Sequence, residues 1–263
     1  MQNNLYRHII LLTLTLAASL HLYAAAPHSL SSETLTYKVM FKWGLINKQA
    51  GRATLTLQKY PNEYRATLSA RSEPWADRIY KVRDTLNGRM TAADFTPLFY
   101  EKIANEGSER KHDVVSYNYT TPKVVRAHCT RKVFKKGVLK IDQQQELQAD
   151  SAAIDMLSSF YYMRSLPYPT MKVGQETRID IFSGKRKELL TIKYHGIVDA
   201  NLDGETAKTY YITFTFTSGN GKKTSDDMEA WISTDSERIP LRLEGKLPVG
   251  NVHCIYTGKL QQP

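Results

Sequence analysis

The chain has 263 residues, of which 41% are hydrophobic and 24% are charged, and its formal net charge is +10. The apolar share is ample for a buried core, and the length does not force two domains, because all-β domains of this size are often single units. A basic chain suits an acidic partner, but no recognised nucleic-acid-binding motif is present, which excludes that class of partner.

The first residues are typical of a secretory signal peptide. Arg7 precedes an apolar run over residues 9–23, and small residues follow it. The run is shorter than the ~20 residues of a membrane span, and no second apolar run occurs. No transmembrane segment is therefore expected after cleavage, and the sequence predicts an exported protein, periplasmic or secreted.

The signal peptide is placed at residues 1–24, with the cut after Ala24 or Ala26. Ala24 is favoured because Pro27 would directly follow the second cut and hinder the peptidase. No cysteine lies at the cut, so no lipid anchor is predicted. The remaining chain, residues 27–263, is predicted to form a single β-rich domain.

The basic charge has two interpretations. Losing the single basic residue of the signal peptide leaves about +9, and an exported basic protein meets anionic lipid, lipopolysaccharide or acidic glycan. The charge also serves solubility alone, and the sequence leaves both interpretations open.

Alternation of apolar and polar residues dominates the rest of the chain. It is clearest in the segments LTYKVMFKW, YYITFTFTS, IPLRLEG and VHCIYTGKL. A period of two in β-branched and aromatic residues predicts strands with one wet face, and the short turns between them indicate antiparallel pairing.

Strand candidates number roughly seven or eight before residue 150 and about six after it. So many strands must curl or close to protect their edges. The predicted fold class is therefore mostly β, an antiparallel meander forming a curved sheet or open barrel.

One turn resembles the start of a calcium loop, with Asp199, Asn201, Asp203 and Gly204 in register. The twelfth position, which should be a bidentate glutamate, is Tyr210, and no helices flank the loop. A hairpin turn is predicted instead.

The two cysteines, Cys129 and Cys254, each follow a histidine. Adjacent strand residues point to opposite faces, so neither His–Cys pair can aim both groups at one ion, and no metal or cofactor is predicted. Both cysteines lie on the apolar side of their strands and should be buried. A disulfide between them and two buried thiols remain the alternatives.

The segment IDMLSSFYYMRSLPYP interrupts the strands and predicts one amphipathic helix near residues 151–165, capped by Asp150 or Ser151 and ended by its prolines. Asp155 and Arg164 are nine positions apart and point in opposite directions, so each needs its own partner. One apolar stripe comprises Ala153, Met156, Leu157, Phe160 and Met163.

A lone helix in an all-β chain has two possible roles. It can fill the concave side of a curved sheet as a core plug, or it can cover an apolar cavity as a lid. Methionine and aromatic side chains suit either role, because methionine adapts its shape.

Several stretches carry a resemblance to a known family: DMLSSFYYMRSLPY, AWISTDSERIPLRLEGKLPVGNV, LTYKVMFKWGLINKQAGRATLTL and FTPLFYEKIANEG. Together they resemble a family of bacterial exported proteins of unknown function, over most of the mature chain. The resemblance implies a secreted or periplasmic β-rich protein of the bacterial cell envelope, without assigned catalytic residues. More distantly, that family looks like open β-barrel carriers of the envelope, such as lipoprotein carriers. The two cysteines are not part of the pattern.

The block STDSER also reads as a hairpin turn. Ser233 and Asp235 can bond local backbone amides, and Arg238 can reach back to Asp235 or Glu237. Pro240 has no backbone donor, so its strand is predicted to be an edge or to begin there.

No sequence motif of a known catalytic site occurs, such as Gly-x-Ser-x-Gly, His-Glu-x-x-His, Cys-x-x-Cys or a phosphate loop. The chain is predicted not to be an enzyme, although a site assembled from distant residues stays open.

Three hypotheses follow for the function. The first is an envelope protein that binds an apolar or amphipathic ligand, a lipid or glycolipid, in a helix-covered β-cavity. The second is a structural or assembly factor that binds another envelope protein through a sheet edge or its basic surface. The third is a glycan-directed hydrolase.

For the first hypothesis, a hollow beneath the helix should be lined by strand aromatics. Trp75 follows Pro74 in a predicted turn and could lie at the cavity mouth. Arg71, Arg78 and Arg164 could meet an anionic head group, because arginine favours bidentate contacts with phosphate or carboxylate. Met156 and Met163 would contribute from the helix. The candidate ligand-binding residues are Trp43, Trp75, Phe160, Tyr161, Arg164 and Trp231.

Overall fold

The computed structural model describes residues 29–121, 124–219, 221–246 and 250–260, and these form one 15-stranded sheet. The signal-peptide prediction lies outside the described residues. In the described ranges, no helix is both long and apolar enough to cross a bilayer.

The first eight strands follow one another through short turns. They are β1 (Glu33–Trp43), β2 (Ile46–Lys59), β3 (Glu63–Ser72), β4 (Val82–Thr91), β5 (Pro97–Glu106), β6 (Glu109–Thr121), β7 (Val124–Lys135) and β8 (Val138–Ala149). A four-residue helix, α1 (Pro74–Asp77), lies in the connection from β3 to β4.

The second half contains seven strands and a longer helix. The strands are β9 (Ala153–Ile154), β10 (Glu176–Phe182), β11 (Lys187–Leu202), β12 (Glu205–Ser218), β13 (Met228–Ser233), β14 (Pro240–Lys246) and β15 (Asn251–Lys259). Helix α2 (Ser158–Ser165) and a 3-10 turn (Tyr168–Thr170) lie between β9 and β10.

The strand order is β8-β7-β6-β5-β4-β3-β2-β1-β15-β14-β13-β12-β11-β10-β9. The first and last strands are thus neighbours near the middle of the sheet, with Val39 opposite Cys254. Every pair is antiparallel except β9 with β10. The prediction of a mostly β, antiparallel meander is confirmed.

The sheet curls until its two wings approach each other and form a nearly closed barrel. Gln145 of β8 donates its side-chain amide to the carbonyl oxygens of Gly184 and Lys185, at 3.2 and 2.7 Å. A Cβ on Gly184 would lie 2.9 Å from the Cβ of Asp113 on β6. The turn between β10 and β11 therefore lies against the opposite wing.

Helix α2 lies between two apolar clusters that together form the core. Leu157 and Tyr161 belong to the cluster of the first wing, whereas Met163 belongs to the cluster built by β10–β13. Tyr161 stacks on Phe95 with ring centroids 6.2 Å apart, and Phe160 meets Tyr37 edge-on. This packing makes α2 a plug that joins the two halves of the core.

The helix begins later than the sequence predicted. It spans eight residues, because Ala153 and Ile154 pair with β10 as a short strand. Asp155 then starts the helix: its carboxylate accepts hydrogen bonds from the amides of Leu157 and Ser158, at 2.9 and 2.8 Å. The proposed caps Asp150 and Ser151 precede the strand, so they have no part in it.

Arg164 finds a partner far along the chain, as its position on the helix required. It forms an ion pair with Glu33 of β1, and both side chains are buried. It also donates to the carbonyl oxygen of Glu237, at 2.8 and 3.2 Å. The plug is therefore tied both to the first strand and to the turn before β14.

The turn at residues 233–239 confirms most of its prediction. The carboxylate of Asp235 accepts bonds from the hydroxyl of Ser233 and the amides of Glu237 and Arg238. Pro240 begins β14, which is an inner strand. The expected bond from Arg238 to an acidic neighbour is wrong, because its guanidinium donates to the carbonyl oxygen of Leu166 at 2.7 Å.

The calcium-like segment is a hairpin turn, as predicted. Asp203 and Gly204 have φ values of 61° and 102° between β11 and β12, and the amide of Gly204 donates to the side chain of Asn201. This geometry matches a two-residue hairpin loop with positive φ at both positions.

Candidate functional site

An apolar pocket of about 260 Å³ opens at one end of the sheet. It lies on the inner face, where β1, β2, β3, β4 and β15 meet the connection that contains α1. Its lining consists of Val39, Phe41, Ala50, Gly51, Arg52, Ala70, Arg71, Ser72, Trp75, Ala76, Ile79, Tyr80, Val82 and Val252. The exposed surface of this lining is almost wholly apolar.

Small residues on β2 and β3 leave the space open. Ala50, Gly51 and Ala70 occupy positions where larger side chains would fill the interior. Gly51 also permits a close approach of backbones, since a Cβ there would lie 2.7 Å from the carbonyl oxygen of Arg71. The pocket thus follows from side-chain size on an otherwise regular pair of strands.

The wall opposite these residues is the connection between β3 and β4, and it is firmly anchored. The indole of Trp75 donates to the carbonyl oxygen of Gln49 at 2.7 Å, and the amide of Glu73 donates to Ala50 at 2.8 Å. The ammonium of Lys48 lies 4.8 Å from the centre of the Trp75 ring. These contacts hold the half-buried Trp75 over the pocket.

Two ion pairs fix the ends of this connection. The carboxylate of Glu73 contacts Arg52 at 2.7 Å, and that of Asp77 contacts Arg83 at 2.7 Å. The guanidinium of Arg83 holds the pKa of Asp77 below its usual range, so this carboxylate stays charged near neutral pH. The carboxylates of Glu73 and Asp77 therefore stabilise the connection through these ion pairs.

The rim of the pocket contains exposed apolar groups. Ile79 and Tyr80 line the pocket, yet they are 78% and 54% exposed. Partial burial raises the pKa of the Tyr80 phenol, and the carboxylate of Glu106 adds to the shift. The hydroxyl at the rim therefore remains neutral at physiological pH.

Of the six candidate ligand-binding residues, only Trp75 lines this pocket. Trp43 lies at the end of β1 and is 56% exposed. Trp231 of β13 stacks on Tyr211 with centroids 5.1 Å apart and lies under the guanidinium of Arg242. The three tryptophans therefore do not form one site.

The other three candidates, Phe160, Tyr161 and Arg164, lie together in helix α2. Tyr161 and Arg164 are 0% and 1% exposed, and the guanidinium lies 6.0 Å from both aromatic ring centres. None of them lines the end pocket. Of the two roles considered for the helix, the core plug describes it: it does not cover this pocket, because its side chains are used in the core and in the pair with Glu33.

The three arginines predicted to contact an anionic head group also lie at different places in the structure. Arg71 is at the pocket, and Arg78 precedes the rim residue Ile79 on the exposed connection. Arg164 is buried against Glu33 and cannot reach a ligand there. The side chain of Arg71 lies on the outer face of β3, as that of Ser69 does, so only Arg78 remains near a possible ligand.

A buried polar group lies behind the plug. The carboxyl of Asp155 is fully buried, and burial raises its pKa to about 6 although three hydrogen bonds from Leu157 and Ser158 oppose the shift. The buried hydroxyl of Tyr117 lies beside this carboxyl, and that of Tyr100 has no hydrogen-bond partner among the described residues. Their phenol pKa values are raised, first by burial and then by the nearby charge of Asp155.

Both cysteines are free thiols, so the disulfide alternative is not realised. Their strands, β7 and β15, are not neighbours in the sheet. The predicted burial is confirmed for Cys129, which is fully buried, but it is wrong for Cys254, which is only half-buried against the core. Within the part of the chain that the structure describes, no group of three or more His, Cys, Asp or Glu side chains could hold a metal ion.

We expect both thiols to resist modification in the native protein. Burial raises the pKa of Cys129 to about 12 and that of Cys254 to about 11, so little of the reactive thiolate is present at neutral pH. Titration with an aromatic disulfide reagent should detect neither thiol in the folded protein and both after unfolding without reductant. Detection of both thiols only after reduction would show a bridge instead.

Sequence reasoning missed the small residues that open the pocket and the apolar rim beside it. Ile79 and Tyr80 lie in the short segment RIYK, which has no clear alternation. Two apolar residues beside a predicted turn were the available signal. The pairing of β1 with β15, which brings Val252 to Phe41, had no local signal at all.

The fold and the pocket together define a β-barrel-like protein with an apolar site at one end. The chain belongs to a family described as protein of unknown function (DUF3108), whose model matches residues 36–254. This match confirms the resemblance that the sequence suggested.

One similar solved structure is the crystal structure of a beta-barrel-like protein of domain of unknown function DUF1849 from Brucella abortus. The two share 8% sequence identity with a TM-score of 0.60, over 91% of this chain and 100% of that one. At this identity the likeness shows the fold alone. No curated protein matches the sequence.

Proposed function

We propose that the protein binds an apolar or amphipathic molecule, a lipid or glycolipid, with the apolar part of the ligand in the end pocket. The observation that carries the proposal is the pocket itself, about 260 Å³ in volume and walled by apolar groups from five strands and the α1 connection. An open concave site with mostly apolar walls and a few polar groups at its edge is the usual form of a small-molecule site.

The size of the pocket favours one hydrocarbon chain. Drug-sized ligands occupy sites of roughly 300–1,000 Å³, and a dry cavity of about 150 Å³ holds benzene. The present volume lies between these values. A single chain segment therefore fits, and the remainder of the ligand would extend past Ile79 and Tyr80 into solvent.

The chemistry of the lining supports the same class of ligand. None of the described residues that line the pocket carries a carboxyl, imidazole or thiol group. Each methylene group moved from water into such a site contributes about 0.8 kcal/mol. Arg78 near the opening suits an anionic head group, since guanidinium groups bind phosphate and carboxylate well.

Filling the pocket should abolish binding. Ala70 faces the interior on β3 and lines the pocket, so Ala70→Phe is expected to weaken binding of a fluorescent polyene fatty acid about tenfold or more. Binding is measured in lipid-free buffer by energy transfer from tryptophan to the polyene. Trp75 is the tryptophan at the pocket, so the transfer also reports where the probe lies.

The matched control is Ser69→Phe. Ser69 is the preceding residue on the same strand and is exposed on the outer face. This variant should bind like the wild type, and both variants should keep the wild-type circular dichroism spectrum. Equal binding by the Ala70 variant would place the probe elsewhere. A wild type that binds no apolar probe would favour an assembly factor, for which the exposed edge strand β8 is the available surface.

A further inference from the structure

Exposed apolar side chains gather at the end of the sheet where the pocket opens. Antiparallel strands place the β1–β2 turn and the β3–β4 connection at the same end. The turn presents Trp43, Leu45 and Ile46, and the connection presents Ile79 and Tyr80. We call these five residues the apolar rim. Leu45 is fully exposed to solvent, and Ile79 is 78% exposed.

The two parts of the rim are held next to each other. Lys48 and Gln49 of β2 both contact Trp75 of the connection, through its ring face and its indole N–H. Phe41, directly opposite Lys48 on β1, lines the pocket together with Ile79. The β1–β2 turn and the connection are thus linked through β2, and the rim is a group of apolar side chains at one end of the sheet, beside the pocket opening. Exposed apolar patches of this kind mark protein or membrane contacts.

Positive charge surrounds the rim. Lys42, Lys48, Arg71, Arg78 and Lys81 are exposed and form no ion pair with any other described residue. Glu73 and Asp77 of the α1 connection are already paired with Arg52 and Arg83, although the charge of Lys81 also acts on Asp77 and Glu106 lies near Tyr80. The surface thus combines exposed apolar groups with an excess of cations.

We infer that this end of the protein docks on an anionic lipid bilayer. Tryptophan and tyrosine favour the head-group level, and leucine and isoleucine enter the acyl boundary. Each lysine or arginine near an anionic surface adds about 1 kcal/mol of attraction. Trp43 and Tyr80 would lie at the interface, with Leu45, Ile46 and Ile79 inserted.

A second copy of the chain is a less favourable partner for the apolar rim than a bilayer. A symmetric contact brings the same patch of both copies together, so the cations around the rim would face one another. Like charges across an interface oppose association, whereas an anionic surface satisfies them. Charge complementarity therefore selects the bilayer.

The docking geometry goes beyond the proposed binding function. It turns the pocket opening towards the lipid, which would let an acyl chain pass between bilayer and pocket without crossing water. Docking itself requires only the rim and its cations, so it is tested without any ligand in the pocket.

The experiment measures flotation of the purified protein with vesicles of phosphatidylglycerol and phosphatidylcholine, compared with vesicles of phosphatidylcholine alone. The wild type is expected to float with the anionic vesicles and to be released by high salt. The double variant Leu45→Asp with Ile46→Asp, two rim residues that do not line the pocket, should lose about tenfold or more of the partition coefficient. Lys42→Glu with Lys81→Glu should remove the preference for anionic vesicles.

Val173→Asp with Ile197→Asp is the matched control, because both residues are exposed apolar groups away from the rim. It should float like the wild type. Equal flotation of the rim variant, or no flotation of the wild type, overturns the inference. A dimer in analytical ultracentrifugation that the rim variant abolishes would also overturn it, in favour of a second copy. Binding of the polyene probe is measured in lipid-free buffer, independently of flotation. The docking inference can therefore fail while the ligand-binding proposal holds, and the reverse.

Discussion

Replacing Arg164 with methionine is expected to lower the free energy of unfolding by about 3–5 kcal/mol. The guanidinium is 1% exposed and pairs with Glu33, which is itself buried. Removing the cation leaves the buried carboxylate of Glu33 with a single, more exposed cationic partner, the ammonium of Lys259 at 3.4 Å. The carbonyl of Glu237 also loses its two donors.

Urea denaturation followed by far-ultraviolet circular dichroism measures this loss. The double variant Glu33→Leu with Arg164→Met should recover a large part of it, since no charge is then left buried. Arg178→Met is the matched control: its pair with Glu176 is exposed, and the expected change is below about 1 kcal/mol. A double variant no more stable than Arg164→Met would mean that packing, not charge, explains the effect.

The second large effect is a dependence of stability on pH through Asp155. Burial raises the pKa of this carboxyl to about 6, so the folded state holds its proton over a range in which the unfolded chain has lost it. Its contribution is fully present below about pH 4 and is lost as the pH rises through about 6. A shift of this size corresponds to a loss on the order of 3 kcal/mol.

Asp155→Asn isolates this contribution. The amide has nearly the same shape but does not titrate, and all other groups titrate alike in both proteins. The stability of the wild type relative to the variant should therefore fall by that amount between about pH 4 and pH 7. Asp142→Asn, on an exposed part of β8, should show no such trend. A constant difference between wild type and Asp155→Asn across this range would mean that the carboxyl ionises normally.

Much of the fold was predictable because its signals are local. The alternation around Tyr210, Ile212 and Phe214 reappears as buried positions on β12. The turns at Asp203 and Asp235 followed from residue types that bond their own backbone. Each of these features depends on neighbours within a few positions.

The start of α2 was not predictable from such signals. Ala153 belonged to the predicted helical stripe, but Ala153 and Ile154 pair with Asp180 and Ile181 of β10 and are strand residues. Tertiary pairing thus outweighed local propensity. The same holds for Arg164, whose partner Glu33 is 131 residues away and could not be named from the sequence.

The candidate site was predicted only in part. Trp75 was predicted at a cavity mouth because a tryptophan after a proline in a turn is not needed for strand packing, and it lines the end pocket. The cavity itself depends on the small side chains of Gly51 and Ala70 standing opposite that turn. An empty space left by small side chains produces no pattern in the sequence. The position of the pocket is therefore seen only in the three-dimensional structure.

The pairing of β1 with β15 also governs when the pocket comes into existence. Val39 and Phe41 come from the first strand and Val252 from the last, so the wall is shared by the two ends of the described chain. A nascent polypeptide emerges from its amino end, and closing this seam has the largest loop-closure cost of any strand pair in the sheet. Until the last strand arrives, the inner face of β1 is an open apolar groove. The pocket is therefore complete only after β15 has been synthesised, and before that point the same surface must be shielded from other apolar chains.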